Sequence, residues 1–138
     1  MVYSLLYVSK SLLAPAETEA ELASILNTSC ARNTGLDVTG ALISAGGHFA
    51  QLLEGPQEAV ELLMRSIGDD PRHMRVKTVR TAQEPRRFAS WAMVYGGHLT
   101  VAGRHIVPLF AALPPRDSAY LSQRLLMLLE EFARLPTA

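Results

Sequence analysis

The stretch His48-Phe49-Ala50-Gln51-Leu52-Leu53-Glu54-Gly55 constrains the fold of this chain more than any other. It is an apolar run of strand length with one uncharged amide at its middle. Strand side chains alternate between faces, so Phe49, Gln51 and Leu53 share one side and Ala50 and Leu52 the other. Covering the first side with a helix buries Gln51, and an amide buried without partners costs a few kcal/mol. Any helix-covered sheet built on this strand must therefore bring hydrogen-bonding groups to Gln51.

The chain of 138 residues has room for one domain and one core. Thirteen basic and thirteen acidic residues cancel, so no overall charge draws it to nucleic acid or to an acidic surface. A single cysteine, Cys30, excludes an internal disulfide framework and suits a reducing cytoplasm. No apolar run approaches the ~20 residues of a spanning helix, and the N-terminus lacks the pattern of a signal peptide. The expectation is a small cytoplasmic domain with no membrane contact.

Val2 to Ser9 alternates and reads as a first strand, with Tyr3, Leu5 and Tyr7 facing one way. Both its faces are largely apolar, which predicts a central position covered on both sides. Thr18-Glu19-Ala20-Glu21 fits a capping box opening a helix that Asn33-Thr34-Gly35 ends. Val38 to Ser44 is a second strand, Ala45-Gly46-Gly47 a turn, and His48 to Gly55 the antiparallel third. Gly55-Pro56 starts a second helix with Val60, Leu63, Met64 and Ile67 as its buried stripe, and Gly68 closes it. Asp69 to His73 reads as a polar loop, Val76 to Thr81 as a fourth strand, Ala82 to Arg87 as a connection and Phe88 to Tyr95 as a fifth strand. A last helix runs from about Ser118 to Leu135, apolar over more than one stripe, which predicts burial against the open sheet face and against a partner chain. The order is β-α-β-β-α-β with one further strand, an α+β, ferredoxin-like pattern with two helices on one face. The expected division is a core over residues 1–97 and a C-terminal helical extension over 98–138 of the same domain.

Several pieces of this sequence match one family. They are Leu6-Tyr7-Val8-Ser9, Asn33, Val38-Thr39-Gly40-Ala41-Leu42, Phe49-Ala50-Gln51-Leu52-Leu53-Glu54-Gly55, Asp70-Pro71-Arg72-His73 and Arg87-Phe88-Ala89-Ser90-Trp91-Ala92-Met93. In order and near-family spacing over residues 1–95, they make the chain resemble the BLUF domain, a flavin-binding blue-light sensor. The resemblance implies FAD, sometimes FMN, held non-covalently between the two helices. It makes Tyr7 the tyrosine that gives an electron and a proton to the excited flavin, and Gln51 the glutamine bridging Tyr7 and the ring. Asn33 would hold the flavin carbonyl region, Ile25 and Ile67 would press on the ring, and Phe49 and His73 would lie near it. Trp91 and Met93 would pass the signal on.

The residue types suit that chemistry. A phenol can be oxidised and deprotonated together, and it both donates and accepts a hydrogen bond. A glutamine amide has a donor end and an acceptor end, so turning or tautomerising it changes what a neighbour meets without moving charge. One hydrogen bond contributes only about 1 kcal/mol net, whereas moving a two-state element from mostly off to mostly on takes about 5 kcal/mol. Packing around Trp91 and Met93 must supply the rest.

Each residue alone has a plainer reading. Tyr7, Trp91 and Met93 would be core, Asn33 a helix cap, His73 a solvated loop residue, and Arg86-Arg87 an exposed turn or a site for phosphates or a partner. The four histidines show no metal-ligand spacing, so no metal is expected. Arg32 and Ser66 depart from the common family pattern, which bears on cofactor affinity and the lifetime of the lit state; Arg32 is a candidate polar contact to the flavin. The expected function is a photoreceptor that turns over no substrate and signals through protein association, as a homodimer or higher homo-oligomer joined by the C-terminal helix and with an unknown downstream partner. The rivals are an interaction module of the same fold that binds flavin weakly or not at all and works constitutively, and a small acylphosphatase-type hydrolase, for which adjacent Arg32 and Asn33 stand in the wrong context.

Overall fold

The computed structural model describes residues 1–12, 35–45, 47–71, 73–88, 92–95 and 118–133. The element order is β1 (Val2–Ser11), β2 (Thr39–Ala45), β3 (His48–Gly55), α1 (Gln57–Gly68), β4 (His73–Glu84), β5 (Ala92–Tyr95) and α2 (Ser118–Ala133). The strands form one sheet in the order β4-β1-β3-β2-β5, with β5 parallel to β2 and the other pairs antiparallel. This is the ferredoxin-like arrangement with a fifth strand added at the edge. The first expected helix lies outside the described residues except for its end, where Gly35 and Leu36 are helical and Asp37 is left-handed at φ 56°.

Apolar residues on both faces place β1 and β3 in the sheet interior. Ser4 to Ser9 and Phe49 to Gly55 are buried throughout, as expected for strands covered on both sides. One face carries Leu5, Tyr7, Val38 and Leu53 against Val60 and Leu63 of α1, with Met64 and Ile67 packed beside them. The other carries Leu6, Val8, Ala41, Ile43, Ala50 and Leu52 against Leu125, Leu126 and Leu129 of α2. The apolar stripe of α2 thus covers the face that α1 leaves open, while Met127 on the same helix stays half exposed.

Two backbone details set the register. Gly47, at φ 76°, sits in the turn between β2 and β3, a conformation that favours glycine. Gly40 lies so close to β3 that a Cβ there would stand 1.8 Å from the Leu52 carbonyl oxygen.

Three sequence expectations need correction. The fourth strand is longer than Val76 to Thr81, because β4 starts at His73 and runs to Glu84. Two thirds of its residues are charged or polar, as suits an edge strand with one side open, and this hides it from a hydrophobic pattern. Its pairing with β1 shifts twice, between Leu6 and Tyr7 and between Val8 and Lys10, and Arg75 near the second shift is left-handed at φ 55°; such bulges twist an edge away from further pairing. The Ala82–Arg87 connection therefore begins only after Glu84. Finally, Arg86 and Arg87 are half-buried and bonded rather than an exposed turn.

Candidate functional site

Alternation and register bring Tyr7 and Gln51 together. They are directly opposite each other in the β1–β3 ladder, on the α1 side of the sheet. Both are almost fully buried, at 3% and 5% exposure. The Tyr7 hydroxyl donates to Gln51 Oε1. This answers the question raised by the amide in the strand: its acceptor end is paired with the phenol, and its NH2 end remains a donor. Burial, reinforced by the negative charge of Asp70, raises the Tyr7 pKa far above its ordinary value, so the phenol keeps its proton.

His73 completes this end of the face. Its Nε2 lies 2.5 Å from the Ile67 carbonyl, which can only accept, so Nε2 is the donor. In the neutral ring Nδ1 then accepts from the Ser9 hydroxyl at 2.8 Å. These two bonds tie the start of β4 to the last turn of α1 and to β1. The ring stands edge-on to both Tyr7 and Phe49, with centroids 6.1 Å apart in each case. His73 is therefore a fixed, half-buried part of the site and not a solvated loop residue.

Tyr7, Phe49, Gln51, Ile67 and His73 thus converge. Met93 lies in the same cross-strand row, since Gln51 pairs with Leu42 and Leu42 with Met93. Leu42, buried at 3% exposure, is the link between them that sequence reasoning passed over. Ile25, Arg32, Asn33 and Trp91 lie outside the described residues, and Ser66 is half-buried on α1. Among the described residues no group of His, Cys, Asp and Glu could hold a metal ion, and no helix is long and apolar enough to cross a membrane.

A second residue passed over is Glu54. Its side chain is fully buried on the α2 side, where the carboxylate accepts the backbone N–H groups of Arg87 and Phe88 at 2.9–3.0 Å. Burial raises its pKa above the usual carboxylate range, against the lowering effect of those two bonds. An acid in a strand apolar on both faces was the available signal, because such a group must find donors.

The donor set fits a flavin. An amide NH2 held by its other end to a tyrosine suits the acceptor edge of an isoalloxazine, and Phe49 and Ile67 supply apolar surface for its rings. The model of the family described as "Sensors of blue-light using FAD" matches residues 2–94. The blue light- and temperature-regulated antirepressor BluF of Escherichia coli (strain K12) is 42% identical over 80 residues, 57% of this chain and 19% of that protein. The chain thus spans about a fifth of that relative. Among solved structures, BlsA in its photo-activated state matches with a TM-score of 0.74 at 26% identity, covering 100% of this chain and 99% of that one. The dark-state structure of BlrB, a BLUF protein, matches with a TM-score of 0.68 at 29% identity, covering 92% and 96%. With two thirds of its length matched, and with a buried tyrosine–glutamine pair on the helix-covered face, the chain belongs to the BLUF family of blue-light sensors that use FAD.

Proposed function

We propose that this chain is a blue-light photoreceptor whose switch is the Tyr7–Gln51 pair. The observation that carries the reading is the hydrogen bond from the Tyr7 hydroxyl to Gln51 Oε1 on the buried, α1-covered face. Gln51, Phe49, Ile67 and His73 would hold FAD there, with Ile25, Arg32 and Asn33 supplying the wall that the first helix contributes. When bound, the flavin supplies absorption of blue light and, once excited, an electron acceptor.

The chain's own residues do the rest. Tyr7 holds its proton at Oη because burial and Asp70 disfavour the phenolate. Oxidation collapses the phenol's hold on that proton, and the acceptor already in contact is Gln51 Oε1. Proton gain at that oxygen lets the amide turn or tautomerise, after which a donor stands where an acceptor stood. Return of the electron and of a proton to Tyr7 would then restore the phenol, and the turned or tautomerised amide would be the one lasting change, with no net charge added to the site. Leu42 and Met93 follow Gln51 across the sheet in one row, and Met93 and Trp91 would carry the altered packing outward.

The output would be a change in association rather than turnover of a substrate. α2 is the element suited to a homodimer or higher homo-oligomer and to an unidentified downstream protein, in the cytoplasm. FMN in place of FAD would leave the switch unaltered, since both carry the same ring.

The test is an absorption spectrum of purified protein in darkness and under blue light. A flavin band that shifts slightly to the red, relaxes in the dark, and loses the shift in Gln51→Leu and Tyr7→Phe is the expected result. A colourless protein that stays colourless after incubation with FAD would instead mark a constitutive interaction module.

A further inference from the structure

The Tyr7–Gln51 chemistry leaves Glu54 unused, although it lies on the same strand as Gln51 and is fully buried. A carboxylate is only an acceptor, and its burial is tolerable because N–H groups surround it. Those groups belong to Arg87 and Phe88, in the connection from β4 to β5.

The same segment is held from its other side. The Thr39 hydroxyl donates to the Phe88 carbonyl at 2.7 Å, and Arg86 donates to the Glu54 and Asp37 carbonyls at 3.1 Å each. The Arg87 guanidinium then reaches α2, donating to Glu130 at 2.9 Å, and also to Glu84 of β4 at 3.2 Å. A continuous line of bonds therefore leads from β3, through Glu54, Arg87 and Glu130, to the helix on the far side of the sheet. It does not pass through Met93.

We infer that Glu54 is a positioning residue that ties the strand of Gln51 to α2 through Arg87 and Glu130, so that a light-induced shift of β3 reaches that helix. The inference rests on the photoreceptor reading of Tyr7 and Gln51. Charge-assisted bonds are shorter and stronger than neutral ones, which makes this a stiffer link than apolar contact. The apolar cluster that Leu52 shares with the α2 leucines is the competing route, and it would not depend on Glu130. A line of contacts becomes a pathway only when coupling is measured.

The experiment is a double-mutant cycle on the FAD-loaded full chain, with Glu54→Gln, Glu130→Gln and the double variant, read by amide hydrogen exchange over residues 122–130. In darkness each single change should raise deuterium uptake there several-fold, and the double variant no more than the larger single. Under blue light the wild type should show a light-minus-dark difference in α2, and Glu130→Gln should lose most of it while its flavin red shift is intact. Multiplying single effects overturn the inference. So does an α2 light difference that survives in Glu130→Gln, or one absent from wild type whose red shift is present. If Glu54→Gln does not fold, Arg87→Gln takes its place and must lose the α2 difference with its red shift kept. A wild type without a red shift overturns the photoreceptor reading alone, and the dark cycle still decides the tie.

Discussion

Glu54 and Glu84 face the same side of the sheet and answer to pH with opposite signs. Glu84 accepts from both terminal nitrogens of Arg80, at 2.8 and 2.7 Å, and mainly for that reason its pKa is lowered to about 2. A carboxyl whose pKa falls on folding adds stability above its ordinary value and loses it as pH drops toward the folded one. Stability should therefore decline from about pH 4.5 down to 2, and Glu84→Gln should flatten that limb of a plot of Tm against pH. An unaltered acid limb would mean that solvent screens the pair to insignificance. Glu54 runs the other way. Burial raises its pKa, so its ionisation costs stability as pH climbs above the ordinary 4.5. Tyr7 and Gln51 were legible at this scale because a polar side chain in an apolar strand announces itself. Glu54 announced itself in the same way, but its partners are backbone amides of a distant segment, which no side-chain pattern encodes.

At the scale of elements, the β2–β3 hairpin is specified by its glycines and its alternation. Gly40 has no room for a side chain, with the Leu52 carbonyl oxygen 1.8 Å from where a Cβ would sit. Gly40→Ala should therefore force the strands apart and cost about 3 kcal/mol or more, seen as a lower midpoint in chemical denaturation. A midpoint within error of wild type would show that the pairing is more yielding than the geometry implies. The third strand was readable to the residue, His48–Gly55, because both its faces are buried and its turn is glycine-marked. β4 was not, because an edge strand answers to solvent on one side and its charges break the alternation. His73 accordingly read as the end of a polar loop, although the family resemblance set it near the flavin, and its two hydrogen bonds tie it to β1 and α1.

For the molecule as a whole, two cores on opposite faces share one sheet. Leu126 is completely buried in the α2-side core. Leu126→Ala should cost about 2–5 kcal/mol by emptying that core, while the flavin red shift proposed for the other face persists. Loss of the red shift in a folded Leu126→Ala protein would mean that the two faces are not separable. Bound FAD should in turn raise Tm, by the equivalent of about 2.7 kcal/mol at a hundredfold excess over its Kd. A Tm independent of FAD concentration would exclude specific binding to the folded state.

Residue order alone determined the strand alternation, the ferredoxin-like succession of elements and which strand faces carry Tyr7 and Gln51. These follow from local periodicity and from the type of side chain at each position, both of which are properties of neighbours in sequence. The tertiary structure alone decided that Arg86 to Phe88 close over the buried carboxylate of Glu54, that Arg87 reaches Glu130 on α2, and that Leu42 stands between Gln51 and Met93. Those contacts join residues far apart in the chain through sheet register and a backbone route across the strand ends. Neither leaves a periodic mark in the sequence.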